Sequence, residues 1–172
     1  MPEREFMKMV SDHQVCLLLG SNIQPERNLP LAIDQLQNRL TILRISSVWE
    51  TPAVGSLGQN FLNAALLAQT SLDRNILKLR ILTPLESKMG RQRSSDKNAA
   101  RPIDLDIILF DHLILDATLW QFAHRAVPVS EIQPDIRSEA GETLKEAAAQ
   151  FIASGSIWLR PEVILLNSWQ SD

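Results

Sequence analysis

The chain has a single cysteine in 172 residues, so no disulfide can form within it. Cys16 lies in an apolar run and reads as a core thiol of a protein kept in a reducing compartment, the cytoplasm. No stretch is long and apolar enough to span a membrane, and the charged start, Met1 to Met9, lacks a signal-peptide core. Positive charge is short as well: the net charge of −3 and an isoelectric point near 5.6 argue against a general nucleic-acid binder. His13, His112 and His124 show no ligand spacing, which argues against zinc. No Walker-type or dinucleotide glycine pattern, nucleophile elbow or Cys–His arrangement is visible. The tryptophans, Trp49, Trp120, Trp158 and Trp169, read as packing rather than as base-stacking platforms. With 45% hydrophobic and 22% charged residues, what remains is one globular domain, expected to be monomeric, with no nucleic-acid or membrane partner.

What is present has a clear order. Residues 1–12 read as an extension, 13–136 as the core and 137–172 as a C-terminal helix and strand. A compact strand at 15–19 is halted by Gly20-Ser21-Asn22. Asn28 is the expected cap of a helix with apolar positions Leu29, Ala32, Ile33, Leu36 and Leu40, and Pro30 fits only its first turn. A second strand is expected over 41–50, a loop over 51–59 and a third strand over 61–70. Ser71 or Asp73 caps a second helix that ends at Gly90, with Pro84 kinking or splitting it. A basic loop, 91–101, precedes a fourth strand. Strand, helix, strand, strand, helix, strand is the ferredoxin-like βαββαβ core of an α+β fold, with helices on one face of an antiparallel sheet and loops and ligands on the other. A short strand at 113–115, a helix over 141–154 and an edge strand or hairpin over 157–166, interrupted by Pro161, complete the expectation.

The fourth strand carries the strongest chemical signal. In Arg101-Pro102-Ile103-Asp104-Leu105-Asp106-Ile107-Ile108-Leu109-Phe110, two carboxylates sit inside an apolar run. Alternation puts Asp104 and Asp106 on one face, with Cα atoms roughly 7 Å apart. The plain reading is an edge strand with its acids in water, but Ile108 and Phe110 share their parity and are apolar. Two neighbouring anions raise each other's pKa and are costly to bury unpaired, so a cation belongs over that face. The loop before them holds Arg91, Arg93, Lys97 and Arg101 against Asp96 alone. By itself such a loop is an ordinary solvated charge run. Beside paired carboxylates it suits Mg²⁺ and phosphates. Gly20-Ser21-Asn22 could offer backbone N–H groups to an anion or serve as a plain turn. Thr51-Pro52, Asn63 and Phe61 could line a site for a flat heterocycle.

These residues resemble a known family. Leu19-Gly20-Ser21-Asn22, Asn28-Leu29, Thr51-Pro52, Phe61-Leu62-Asn63-Ala64-Ala65, Glu86, Gly90-Arg91 and the run from Lys97 to Ile108 are similar to the 6-hydroxymethyl-7,8-dihydropterin pyrophosphokinases of folate biosynthesis. Pro128, Glu131-Ile132 and Pro134 resemble a later stretch of that family. The resemblance implies pyrophosphate transfer from ATP to the pterin hydroxymethyl group, releasing AMP, with the two small molecules as partners. It implies Asp104 and Asp106 as ligands of two Mg²⁺ ions and Arg91 and Arg101 as catalytic cations. It implies Arg93, Lys97, Arg101 and Ile107 at ATP, and Thr51, Pro52, Val54, Phe61, Asn63 and His124 around the pterin.

The chain departs from the family after the Asp-bearing strand. The connection to Pro128 is shorter, the usual Pro-His pair is missing, and the usual Arg and stacking Phe positions fall on Phe122 and His124. His124 and Arg125 are the candidates to replace them: an imidazole can stack and an arginine can bind phosphate. Three readings stay open: an active pyrophosphokinase with an altered nucleotide cleft, a non-catalytic pterin-binding relative, and a kinase of another substrate.

Overall fold

Val15, Leu17 and Leu19 alternate with Cys16 and Leu18 along the first strand, and all five are buried, so this strand must be covered on both faces. The structure, a computed structural model, describes residues 12–53, 58–93, 95–96 and 99–166. That strand, β1 (His13–Ser21), pairs antiparallel with two others, β4 (Phe61–Thr70) and β5 (Asp104–Phe110). Outside β4 lie β2 (Thr41–Ile45) and β3 (Trp49–Thr51), and the edges are β6 (Leu113–Ile114) on β5 and β7 (Trp158–Leu159) on β3. The sheet order is β6-β5-β1-β4-β3-β7, with β2 also on β4, and every pairing is antiparallel. Its centre is the ferredoxin-like arrangement expected from the element order.

The first face is packed by α1 (Pro25–Gln37) and by a helical stretch made of α2 (Arg74–Leu77), a π-helical segment (Lys78–Leu82) and α3 (Thr83–Lys88). Leu29, Ile33, Leu36, Leu77, Leu82 and Leu85 meet Val15, Leu17, Leu19, Leu62, Leu66 and Leu105 there. Asp73 caps α2 by accepting from the N–H groups of Asn75 and Ile76 at 2.9 and 3.0 Å. Pro84 lacks the N–H that an α-helix needs, and the π-helical turn just before it absorbs the misfit without ending the helix.

Four expectations need correction. The helix α1 starts at Pro25, not after Asn28, whose side chain instead donates back to the Ile23 carbonyl at 2.7 Å. Pro30 therefore lies in the second turn, where its missing N–H falls opposite the carbonyl of exposed Glu26. The single strand expected over 41–50 is two strands: Ser46 donates its backbone N–H to the Ala65 carbonyl at 2.8 Å, but its hydroxyl, not its carbonyl, accepts the Ala65 N–H at 2.8 Å, which interrupts the ladder. Most consequential, the second face is not left to loops. A helix without a sequence signal, α4 (Ala123–Ser130), and α5 (Leu144–Ala153) cover half of it, with Ala126, Val129 and Leu144 packed on Cys16, Leu18, Leu67 and Ile108. Thr143 and Glu146 close a capping box that sets the start of α5 three residues later than expected.

Candidate active site

The uncovered half of the second face is the site. Across it runs one row of paired residues: Asp104 opposite Gly20, Gly20 opposite Asn63, Asn63 opposite Trp49. Asp106 stands in the next row, opposite Leu18. Asp104 and Asn63 are thus two strand spacings apart, about 10 Å, with only a glycine between. A side chain at Gly20 would put its Cβ 3.3 Å from Asn63 Oδ1, so glycine keeps this floor clear.

Over that floor is a cavity of about 250 Å³, walled by Thr51, Pro52, Ala53, Phe61 and Asn63 on one side and by Phe122, His124 and Arg125 from the start of α4 on the other. Buried Asn63 donates through Nδ2 to Thr51 Oγ1 at 3.0 Å, which fixes the amide. Burial pushes the His124 imidazole pKa down, so its ring is held neutral. A second cavity, about 400 Å³, opens beyond the aspartates between α2–α3 and the basic loop; Lys78, Glu86, Arg91, Arg93 and Asp96 line it. Arg101, Asp104 and Asp106 line both, so the carboxylate pair forms the edge where the two cavities meet.

The two aspartates are not equivalent. Asp104 is held by two arginines, Arg91 at Oδ1 and Arg101 at Oδ2, the latter at 2.5 Å. Arg91 is itself steadied by buried Glu86 at 2.5 Å, and Glu86 also accepts the backbone N–H of Leu105 at 2.8 Å. Burial pushes the Glu86 carboxyl upward despite these partners. The carboxylate of Asp106 accepts no hydrogen bond from the described residues, and burial followed by the charge of Asp104 raises its pKa. Lys78 and Arg125 work against that rise from either side. Arg125 pairs with Asp116 through Nη1, while its buried Nε has no hydrogen-bond partner among the described residues.

The turn after β1 serves the loop. Asn22 accepts the backbone N–H of Arg101 at 2.7 Å and Ser21 donates to the Pro102 carbonyl at 2.6 Å, so Gly20-Ser21-Asn22 anchors the chain just before the aspartates. Of the residues expected at a site, Thr51, Pro52, Phe61, Asn63, His124, Arg91, Arg93, Arg101, Asp104 and Asp106 all border the two cavities. Ile107 does not: it pairs with Leu17 in β5 and packs toward the first core. Val54 and Lys97 lie outside the described residues. Lys78 was missed, although Lys78 and Glu86 are charges eight apart on a helix whose apolar face carries Leu77, Leu82 and Leu85. Such charges on an apolar helix face mark partners across the interface.

A donor set of two adjacent carboxylates fits Mg²⁺, which is usually held by one or two carboxylates with substrate phosphates and water filling the other positions. Among the described residues there is no group of three or more His, Cys, Asp or Glu that could cage a metal without a substrate.

Comparisons with known proteins bear on family and fold. The model of the 7,8-dihydro-6-hydroxymethylpterin-pyrophosphokinase family matches residues 16–134. A 2-amino-4-hydroxy-6-hydroxymethyldihydropteridine pyrophosphokinase of Aquifex aeolicus is 36% identical over 132 residues, 71% of this chain and 81% of that protein. The enzyme of the same name from Campylobacter jejuni is 36% identical over 122 residues, 67% of this chain and 76% of that one. Among solved structures, the HPPK-DHPS protein of Plasmodium falciparum superposes with a TM-score of 0.60 at 10% identity, over 83% of this chain. This chain spans 45% of that longer protein, and the likeness is one of fold. The chain belongs to the 7,8-dihydro-6-hydroxymethylpterin-pyrophosphokinase family.

Proposed function

We propose that this chain transfers pyrophosphate from ATP to the hydroxymethyl group of 6-hydroxymethyl-7,8-dihydropterin, a step of folate biosynthesis. The observation that carries the reading is the pair of cavities sharing Asp104 and Asp106 at their common edge. One cavity is narrow and ring-lined, with a fixed amide and hydroxyl for a flat heterocycle. The other is wide and basic, as a triphosphate requires. The pterin hydroxyl oxygen attacks the β-phosphorus at the shared edge, the bond to the α-phosphate oxygen breaks, and AMP leaves.

Asp104 and Asp106 are the proposed ligands of two Mg²⁺ ions, whose chemistry is to neutralise phosphate charge as it shifts in transfer. Arg91 and Arg101 aim preset cationic donors at the transferring group, and both are already ordered by their ion pairs with Asp104. Arg93 and Lys97 hold the outer phosphates. Thr51, Pro52, Val54 and Asn63 fix the pterin edge, while Phe61 and neutral His124 offer ring faces. Arg125, one turn into α4, supplies on the pterin side the cation that Phe122 does not. The reading includes action as a monomer, and the buried thiol of Cys16 suits the cytoplasm.

The direct test mixes the protein with ATP, Mg²⁺ and the hydroxymethyldihydropterin and separates the products. Equal amounts of AMP and pterin diphosphate are expected. Pterin binding by calorimetry without AMP release overturns the enzymatic reading and leaves a pterin-binding relative.

A further inference from the structure

The family model ends at residue 134, yet the chain beyond it returns to the site. After α5, β7 adds to the edge of β3, with Trp158 opposite Glu50 and Leu159 opposite Trp49. The next residue, Arg160, donates its backbone N–H to the Val48 carbonyl at 2.9 Å. Its guanidinium then gathers three carboxylates: Glu50 of β3 at 2.6 Å, Glu26 of α1 at 3.4 Å, and Glu162. Glu50 is the hub of this cluster on the site side. Its Oε2 takes Arg160, and its Oε1 takes Asn60 Nδ2 at 2.8 Å. Glu50 is next to Thr51, and Asn60 is next to Phe61, which pairs with Thr51 across the ladder. Arg160, Glu50 and Asn60 therefore form a chain of hydrogen bonds that ties together the two strand ends carrying the heterocycle wall.

We propose that Arg160 is a positioning residue for the heterocycle cavity, acting through Glu50 and Asn60 on Thr51, Pro52 and Phe61. The inference rests on the pterin reading of that cavity. Single ion pairs near a surface stabilise little, but this arginine faces three carboxylates that repel one another once it is gone. The planar fork spreads its donors over three nitrogens, Nε, Nη1 and Nη2, one to each carboxylate, a span that the single nitrogen of a lysine lacks. The hydrogen bonds to Asn60 and Arg160 also pull the Glu50 carboxyl below its ordinary pKa, so the link is intact at neutral pH.

The test measures pterin and ATP-analogue affinity by calorimetry, and both KM values, for the wild type, Arg160→Ala, Arg160→Lys and Asn60→Ala. Arg160→Ala should weaken pterin about 10-fold, the worth of one hydrogen bond at the wall, with ATP-analogue affinity and kcat within about twofold of wild type. Arg160→Lys should recover only part of the loss. Asn60→Ala removes the last link alone and should show the same pterin-selective loss; it decides the matter if Arg160→Ala does not fold. Unchanged pterin affinity in Asn60→Ala, or equal losses for both ligands in Arg160→Ala, overturns the proposal. A wild-type protein that binds no pterin at all instead overturns the functional reading on which it rests.

Discussion

The difference between Asp104 and Asp106 sets opposite costs on two look-alike residues. Asp104 neutralises Arg91 and Arg101, so Asp104→Asn leaves two part-buried guanidinium groups underpaired and should cost about 1–3 kcal/mol. Asp106 has no such partner among the described residues, and its folded pKa is raised, first by burial and then by Asp104. Between its unfolded and folded pKa the native state binds more protons than the unfolded chain, so stability falls as pH rises through that window. Asp106→Asn removes that penalty. Its stability relative to wild type should be level in acid, grow as pH rises from the unfolded to the folded pKa, and level off above it, as read by urea unfolding at several pH values. Both variants should lose about 10²-fold or more in kcat, since each takes a charge from the edge proposed for transfer. A protein in which both substitutions destabilise equally would contradict the asymmetry. The stability penalty at Asp106 is then a cost the fold carries for function.

Elements carry the same logic at longer range. The turn after β1 holds the loop before β5 through Asn22 and Ser21, a link between residues far apart in sequence. Asn22→Ala leaves the Arg101 N–H without its acceptor and should lower kcat about 10-fold or more by loosening Arg101. Activity unchanged beside a lowered Tm would assign Asn22 to folding alone. Thr143→Ala, which opens the capping box of α5 away from both cavities, is the contrasting case: about 1 kcal/mol of stability lost, kcat/KM unchanged. Gly20-Ser21-Asn22 reads as a turn in the sequence, yet Gly20 and Ser21 are the last residues of β1, and the partner at Arg101 was not legible either, because nothing local in a sequence announces a contact about 80 residues away. The limits of β4 and the facing of Asp104 and Asp106 were legible from period-two alternation and bounding turns, but the facing of Phe110 was not: a register shift in β5 turns it away from the aspartates into the first core. Helix α4 was not. Its residues Ala126, Val127, Pro128 and Val129 are all buried, packed between the sheet and α5, and four apolar residues in a row within eight hide the helical period. Phe122 at its N-cap offers no side-chain acceptor, and Pro128 speaks against a helix in any local reading. That unread helix is the one that brings His124 and Arg125 to the cavity.

At the scale of the whole molecule, one carboxylate edge belongs to two cavities, so whatever binds there couples metal, nucleotide, heterocycle and stability. A ligand that binds only the folded state adds RT ln(1 + [L]/Kd), about 2.7 kcal/mol at a hundredfold excess over Kd. Mg²⁺ with a non-hydrolysable ATP analogue should therefore raise the Tm more than either does separately, because the carboxylates and the phosphates each complete the other's coordination. On the proposed reading, protons compete with Mg²⁺ for the aspartates. Asp106 is raised above the ordinary aspartate range, so this stabilisation should begin to fade, as pH falls, before an ordinary aspartate would protonate. In Asp106→Asn that early component disappears, and whatever Mg²⁺-dependent stabilisation remains should follow Asp104. Thermal shifts measured with Mg²⁺ and analogue across the acid range decide it. If wild type and Asp106→Asn lose the Mg²⁺-dependent shift at the same pH and to the same extent, Asp106 does not hold the metal, and the charge on that edge serves only to set the arginines.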